Sequence, residues 1–276
     1  MSPLSIQRED LQPVLGAHRG NQALVSALEA ASSPEQILSV MGRYIQFNSA
    51  FGAGLANLAG EIAARPGLFQ DPAEPLHVAA DRAAEVASDF FYAAVDEFDD
   101  RATPWRDTHR TLAQACLKGM GAYFGYEPTQ LNDVLGINAT TPQSMQRVWE
   151  GYGVGAQLEE PRLFRGMGFH TGSEILADQE FVIIDGILRE GRPELVAALE
   201  AMKVPMLGER HNAYYWIRIH TGVEAEHFDA ALKGVNNALR FYTGERSLAA
   251  VKASILEGFS HFAAVQGEFM AALGEA

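Results

Sequence analysis

Apolar residues recur three and four positions apart along almost the whole chain, and that helical period leaves little room for a sheet. Ile37, Leu38, Met41, Tyr44 and Ile45 form one such stripe. Before it, Ser33-Pro34-Glu35-Gln36 is a helix start, with proline in the first turn and a glutamine placed to close a capping box. Further helices are expected over residues 74–97, 104–124, 158–190, 212–233 and 246–272, with a short one opening at Thr141-Pro142. Thr103 before Pro104 is the expected cap of the second, and Asn212 that of the fourth. Gly166, Gly168 and Gly172 are expected to kink the helix over 158–190. Val182-Ile183-Ile184 is the most strand-like run, but it is short and sits inside a helix-period pattern. No repeat, low-complexity segment or long linker divides the chain, so one all-α domain over residues 1–276 is expected.

Several functions are excluded early. Lys and Arg number 21 against 35 Asp and Glu, a formal charge of −14 that repels phosphate backbones and anionic lipid, so neither nucleic acid nor membrane is an expected partner. Cys116 is the single cysteine, which rules out an intrachain disulfide and a cysteine-built zinc site. With a polar N-terminus and no apolar run approaching the ~18–20 residues of a membrane span, a cytoplasmic protein is expected. For oligomeric state there is only the general prevalence of homodimers. Gly151-Tyr152-Gly153-Val154-Gly155 resembles a phosphate loop only superficially. No strand precedes it and no Lys-Ser/Thr follows, so it reads as a packed loop between helices.

The chemistry concentrates in Trp216-Ile-Arg-Ile-His220-Thr-Gly-Val-Glu224-Ala-Glu-His227. His220, Glu224 and His227 stand at i, i+4 and i+7, which at ~100° per residue puts them within about 60° on one helix face. Two imidazoles and a carboxylate there suit Fe or Mn better than Ca or Mg. The same spacing also serves surface ion-pair ladders. Here, however, Tyr214, Tyr215, Trp216, Ile217, Ile219, Val223 and Phe228 make the helix largely apolar, and unpaired polar groups would be costly on a buried face. One helix cannot surround two ions, so further donors must come from facing helices. Glu97, His109 and Glu174 are candidates. Asp96, Asp99 and Asp100 adjoin Glu97 and compete with it, and Glu180 is the fallback for Glu174. Six positions apart on a helix, Glu174 and Glu180 point about 120° from one another, so only one is expected to face a metal. His170 and Asp178 share the Glu174 face.

In chain order, Glu97, His109, Glu174 and His220-x-x-x-Glu224-x-x-His227 resemble the heme-oxygenase-like di-iron oxidases and oxygenases, over about residues 75–230. The resemblance implies a heme-oxygenase-like helical bundle of about seven to nine helices, with those six residues as ligands of two Fe ions. It also implies O2 as co-substrate, a small metabolite such as an amino acid, amine or fatty acid as substrate, and an electron donor as a partner. N-oxygenation, C–C cleavage or desaturation in specialised metabolite biosynthesis are the implied reactions. Two departures stand out. Glu224 occupies a place where Asp is common, and 46 residues separate Glu174 from His220, which makes residues 190–210 an insertion. Phe91, Tyr92, Phe169, Tyr215 and Trp216 are the expected pocket walls. Two rivals share the fold. A heme oxygenase would use His18 and leave residues 220–227 unexplained, and a metal-free thiaminase-like enzyme or small-molecule-binding protein would turn on Cys116. A structural interaction protein would make the 220–227 face an accident.

Overall fold

The computed structural model describes residues 4–100, 103–104, 106–135 and 138–275, with the side chains of Asp178 and residues 222–225 outside that set. Among the described residues the helical period becomes twelve helices: α1 Arg8–Ala17, α2 Gly20–Ala30, α3 Pro34–Asn48, α4 Phe51–Ala63, α5 Ala83–Phe98, α6 His109–Tyr123, α7 Pro128–Val134, α8 Thr140–Tyr152, α9 Glu160–Gly191, α10 Pro193–Ala201, α11 Tyr215–Phe241 and α12 Leu248–Ala272. The all-α expectation holds. The twelve helices exceed the seven to nine expected.

The capping box at Ser33 forms as its residues suggest, with Ser33 Oγ accepting from Gln36 N. Two other starts fall later than expected. Residues 71–82 close a loop through Asp71 N to Ala80 O and Arg82 N to Phe69 O, so α5 begins at Ala83. The α6 cap is Thr108, whose Oγ1 accepts from Thr111 N at 3.0 Å, not Thr103. Between α5 and α6, Asp100 N donates to Asp107 O at 2.8 Å, pinching the connection so that the end of α5 lies beside the start of α6.

The central element is α9, which packs on α12 and α11 along its length and on α2, α4, α8 and α10. The expected kink is absent: α9 runs unbroken through Gly166, Gly168 and Gly172. Two glycines instead let α9 and α12 approach closely. A Cβ at Gly168 would stand 1.8 Å from Ile255 O, and one at Gly258 1.9 Å from Arg165 O. By length and composition α12 could cross a membrane, because its alanines, phenylalanines and aliphatic residues lift its mean hydropathy and few charges interrupt them. Its Phe259, Phe262, Phe269 and Met270 are buried in the core, while Glu257 and Ser260 face solvent.

A hairpin went unread in the sequence. β1 Lys203–Met206 pairs antiparallel with β2 Glu209–Asn212 around Leu207 (φ 49°) and Gly208 (φ 89°). Such a two-residue turn needs positive φ at both positions, and Leu207 masks the signal that asparagine would give. With α10 it fills residues 193–212, the stretch read as an insertion. Asn212 lies in β2, and its Oδ1 accepts from Tyr214 N at 3.1 Å just before α11.

Candidate functional site

The last turn of α5 and the residues after it carry four acids, and each has a different partner. Asp96 Oδ2 lies 3.0 Å from His227 Nε2. Glu97 Oε1 is 3.4 Å from His109 Nδ1. Asp99 Oδ1 accepts from Arg106 Nε at 2.9 Å, at the surface. Asp100 Oδ2 stands 3.9 Å from His109 Nε2, opposite Glu97. Glu97 is therefore the acid that faces His109 from the cavity side, while Asp96 and Asp100 are placed to orient imidazoles. Sequence spacing alone did not separate them.

His109 opens α6 and meets His220 of α11, with His109 Nδ1 and His220 Nε2 3.2 Å apart. His220 Nδ1 lies 2.7 Å from Trp216 O. A carbonyl can only accept, so Nδ1 carries the proton and the Nε2 lone pair points at His109. The ring is further fixed by stacking on Phe181, with centroids 4.1 Å apart and planes at 17°.

Glu174, on α9, sits between two imidazoles. Its Oε1 is 3.2 Å from His170 Nδ1 and its Oε2 is 3.5 Å from His227 Nδ1. His170 is wholly buried against Tyr152 and Phe90. Burial first, and then the nearby His227, depress it to about 3, so it stays neutral at physiological pH. Its Nε2 has no hydrogen-bond partner among the described residues, the kind of orphaned buried polar atom that calls for an explanation. Tyr152 and Ser173 complete this corner, with their hydroxyls 2.9 Å apart.

Glu180 also reaches the site, contrary to the 120° argument, because both glutamates are long enough to bend toward one cavity. Its surroundings differ from those of Glu174. Oε2 accepts from Tyr44 at 2.7 Å and Oε1 from Gln266 Nε2 at 2.5 Å.

Glu97, His109, Glu174, Glu180, His220 and His227 line one cavity of about 40 Å³, closed on its apolar sides by Phe51, Leu55, Phe181 and Phe262. That is room for about two to four particles the size of a water at roughly 10–15 Å³ each. Glu224 follows His220 by one turn on α11, but its side chain lies outside the described residues. Among the described residues no three His, Cys, Asp or Glu side chains are disposed as a metal-holding group. The donors pair with one another instead, His109 with His220 and Glu174 with both His170 and His227. Imidazole nitrogens and carboxylate oxygens around a small cavity nevertheless form a donor set that fits a borderline divalent ion.

The expected pocket walls fare differently. Trp216 lines a second cavity of about 220 Å³ that shares Asn48, Glu97 and His109 with the first. Phe91 and Tyr92 are 48% and 44% exposed, because they follow the buried Phe90 by about 100° and 200° around α5. Tyr92 still lays its ring edge on His227. Phe169 is buried against Tyr152 and Phe262, and Tyr215 lies toward Asp100 and Arg218; neither lines a cavity. No protein-family model and no curated protein matches the chain.

Proposed function

We propose that this chain is a non-heme di-iron enzyme of the heme-oxygenase-like bundle, using dioxygen to oxidise a small metabolite. One observation carries the reading: Glu97, His109, Glu174, His220 and His227, chosen from separate parts of the sequence, line a single small cavity from α5, α6, α9 and α11. With Glu224, they are the residues that would hold the metal. Two Fe(II) ions, when bound, would supply electrons for the reduction of dioxygen.

The chain's own residues do the positioning. Trp216 O fixes the His220 tautomer so that Nε2 is the donor. Asp96 performs the corresponding task for His227, and Asp100 offers a carboxylate to the far nitrogen of His109, the usual support for a ligating imidazole. Phe51, Leu55, Phe181 and Phe262 keep bulk water out. The larger cavity gives a substrate a place against Glu97 and His109. A reductant is the expected partner where the reaction consumes more electrons than its substrate yields.

The metal-free reading has less support. Cys116 lines neither cavity, and burial pushes its thiol up to about 12, so it holds almost no nucleophilic thiolate near neutrality. The test is anaerobic loading with Fe(II), followed by admission of O2 while the absorption spectrum is recorded. About two irons per chain and a transient visible band are expected. A chain that retains no iron would overturn the proposal.

A further inference from the structure

The donor cluster divides unevenly as described so far. Glu97, His109 and His220 form one group, a carboxylate and two imidazoles, with His109 Nδ1 3.4 Å from Glu97 Oε1 and 3.2 Å from His220 Nε2. The other group pairs Glu174 with one imidazole, His227. His170 makes the halves equal. It precedes Glu174 by one turn of α9, and its Nδ1 lies 3.2 Å from Glu174 Oε1. The two imidazoles thus meet Glu174 through its two different oxygens.

The protons at this corner bear on what those contacts are. Asp96 Oδ2 lies 3.0 Å from His227 Nε2, so that nitrogen carries the ring proton and Nδ1 turns a lone pair toward Glu174 Oε2 at 3.5 Å. A carboxylate facing a lone pair calls for a cation between them. At His170 the neighbouring hydroxyls are already engaged. Ser173 Oγ donates to His170 O at 2.8 Å, and the Tyr152 hydroxyl, 2.9 Å away, donates to Ser173 Oγ. That chain ends on a backbone carbonyl and gives no proton to His170 Nδ1. Burial keeps the His170 ring neutral, so one of its nitrogens has a lone pair to give. Only Nδ1 faces other donors of the cluster. The ring proton then belongs on the orphaned Nε2, the form that a neighbouring aromatic face such as Phe90 repels least.

We infer that His170 is an additional metal ligand, binding through Nδ1 beside Glu174 and His227, so that each of two ions has two imidazoles and a carboxylate. The spacing agrees. Donors about 2.1 Å from one ion and roughly 90–110° apart stand about 3.0–3.4 Å from each other, close to the contacts that Glu174 makes. Two imidazoles and one carboxylate is also a ligand set that suits non-heme Fe(II) and leaves positions open for oxygen. The inference rests on the proposed function for the identity of the ion, but not for the binding of a divalent ion.

The test is proton NMR of the full chain, freed of metal with a chelator and loaded with Co(II). Each ligating imidazole keeps one N–H, whose resonance the paramagnetic ion shifts far outside the protein envelope and which disappears in D2O. One such resonance is expected from each of His109, His170, His220 and His227. His170→Gln should remove one of them and weaken binding of one ion by on the order of a hundredfold or more, beyond the usual effect of losing a residue that only supports a ligand. Circular dichroism checks that the variant folds. The inference is overturned if Co(II) does not bind, if wild type shows no more resonances than His109, His220 and His227 account for, or if folded His170→Gln keeps the full set. Iron counts are read separately. Iron uptake with the His170 resonance missing would remove this inference and leave the di-iron reading standing, whereas the full set with Co(II) and no retained iron would do the reverse.

Discussion

Glu174 and Glu180 reach the same cavity from one helix, and their neighbours divide the work between them. Glu174 touches His170 and His227 and, among the described residues, has no hydroxyl or amide donor holding it in place. Glu180 is held at both oxygens by Tyr44 and Gln266. Glu174→Gln should therefore lose at least one iron per chain, while Glu180→Gln keeps its iron with affinity lowered by about tenfold, as for a residue that supports ligands. Iron titration of both variants checks this, and the opposite order would exchange their roles. Cys116 offers a second test at this scale. Its raised value means that folding favours the protonated thiol, so this contribution is complete below the ordinary value of 9.0 and declines as pH rises toward about 12. The native chain should react very slowly with a thiol-specific disulfide reagent near neutral pH and rapidly once unfolded; prompt labelling of the native chain would contradict its burial.

Among the elements, the seam between α9 and α12 fixes the frame on which Glu174 and Glu180 are mounted. Gly168→Ala would drive a methyl group into Ile255 O, which cannot move without shifting α12. The variant should lose about 1–3 kcal/mol of stability in urea titration, the usual range for overpacking. An unchanged midpoint would show that the helices are not as close as described. The same seam shows where sequence reading falls short. Glycine in a helix is ambiguous between a kink and a close approach, and only the partner helix decides which it is. The starts of α5 and α6 shifted for a similar reason: the segments before them are held as loops by backbone hydrogen bonds across them, Asp71 N to Ala80 O before α5 and Asp100 N to Asp107 O before α6. By contrast, α3 and α12 begin at serine caps, local chemistry that needs no partner to be read.

For the molecule as a whole, an all-α fold was legible because the apolar period persists along most of the chain. That His220 and His227 share one side of α11 was legible because their spacing is local, and both line the same cavity. The separate tasks of Asp96, Glu97 and Asp100 were not, since they depend on which imidazole each acid meets across the α5–α6 and α5–α11 packing. The account stands on the convergence of α5, α6, α9 and α11 on one cavity, and its most direct test is the iron content of His220→Ala and His227→Ala beside wild type. Far-UV circular dichroism serves as the control for fold. Wild type should hold about two irons, and each variant should lose one or both while keeping its helical signal. Full iron in either folded variant would contradict the account, because α11 would then not be the metal helix.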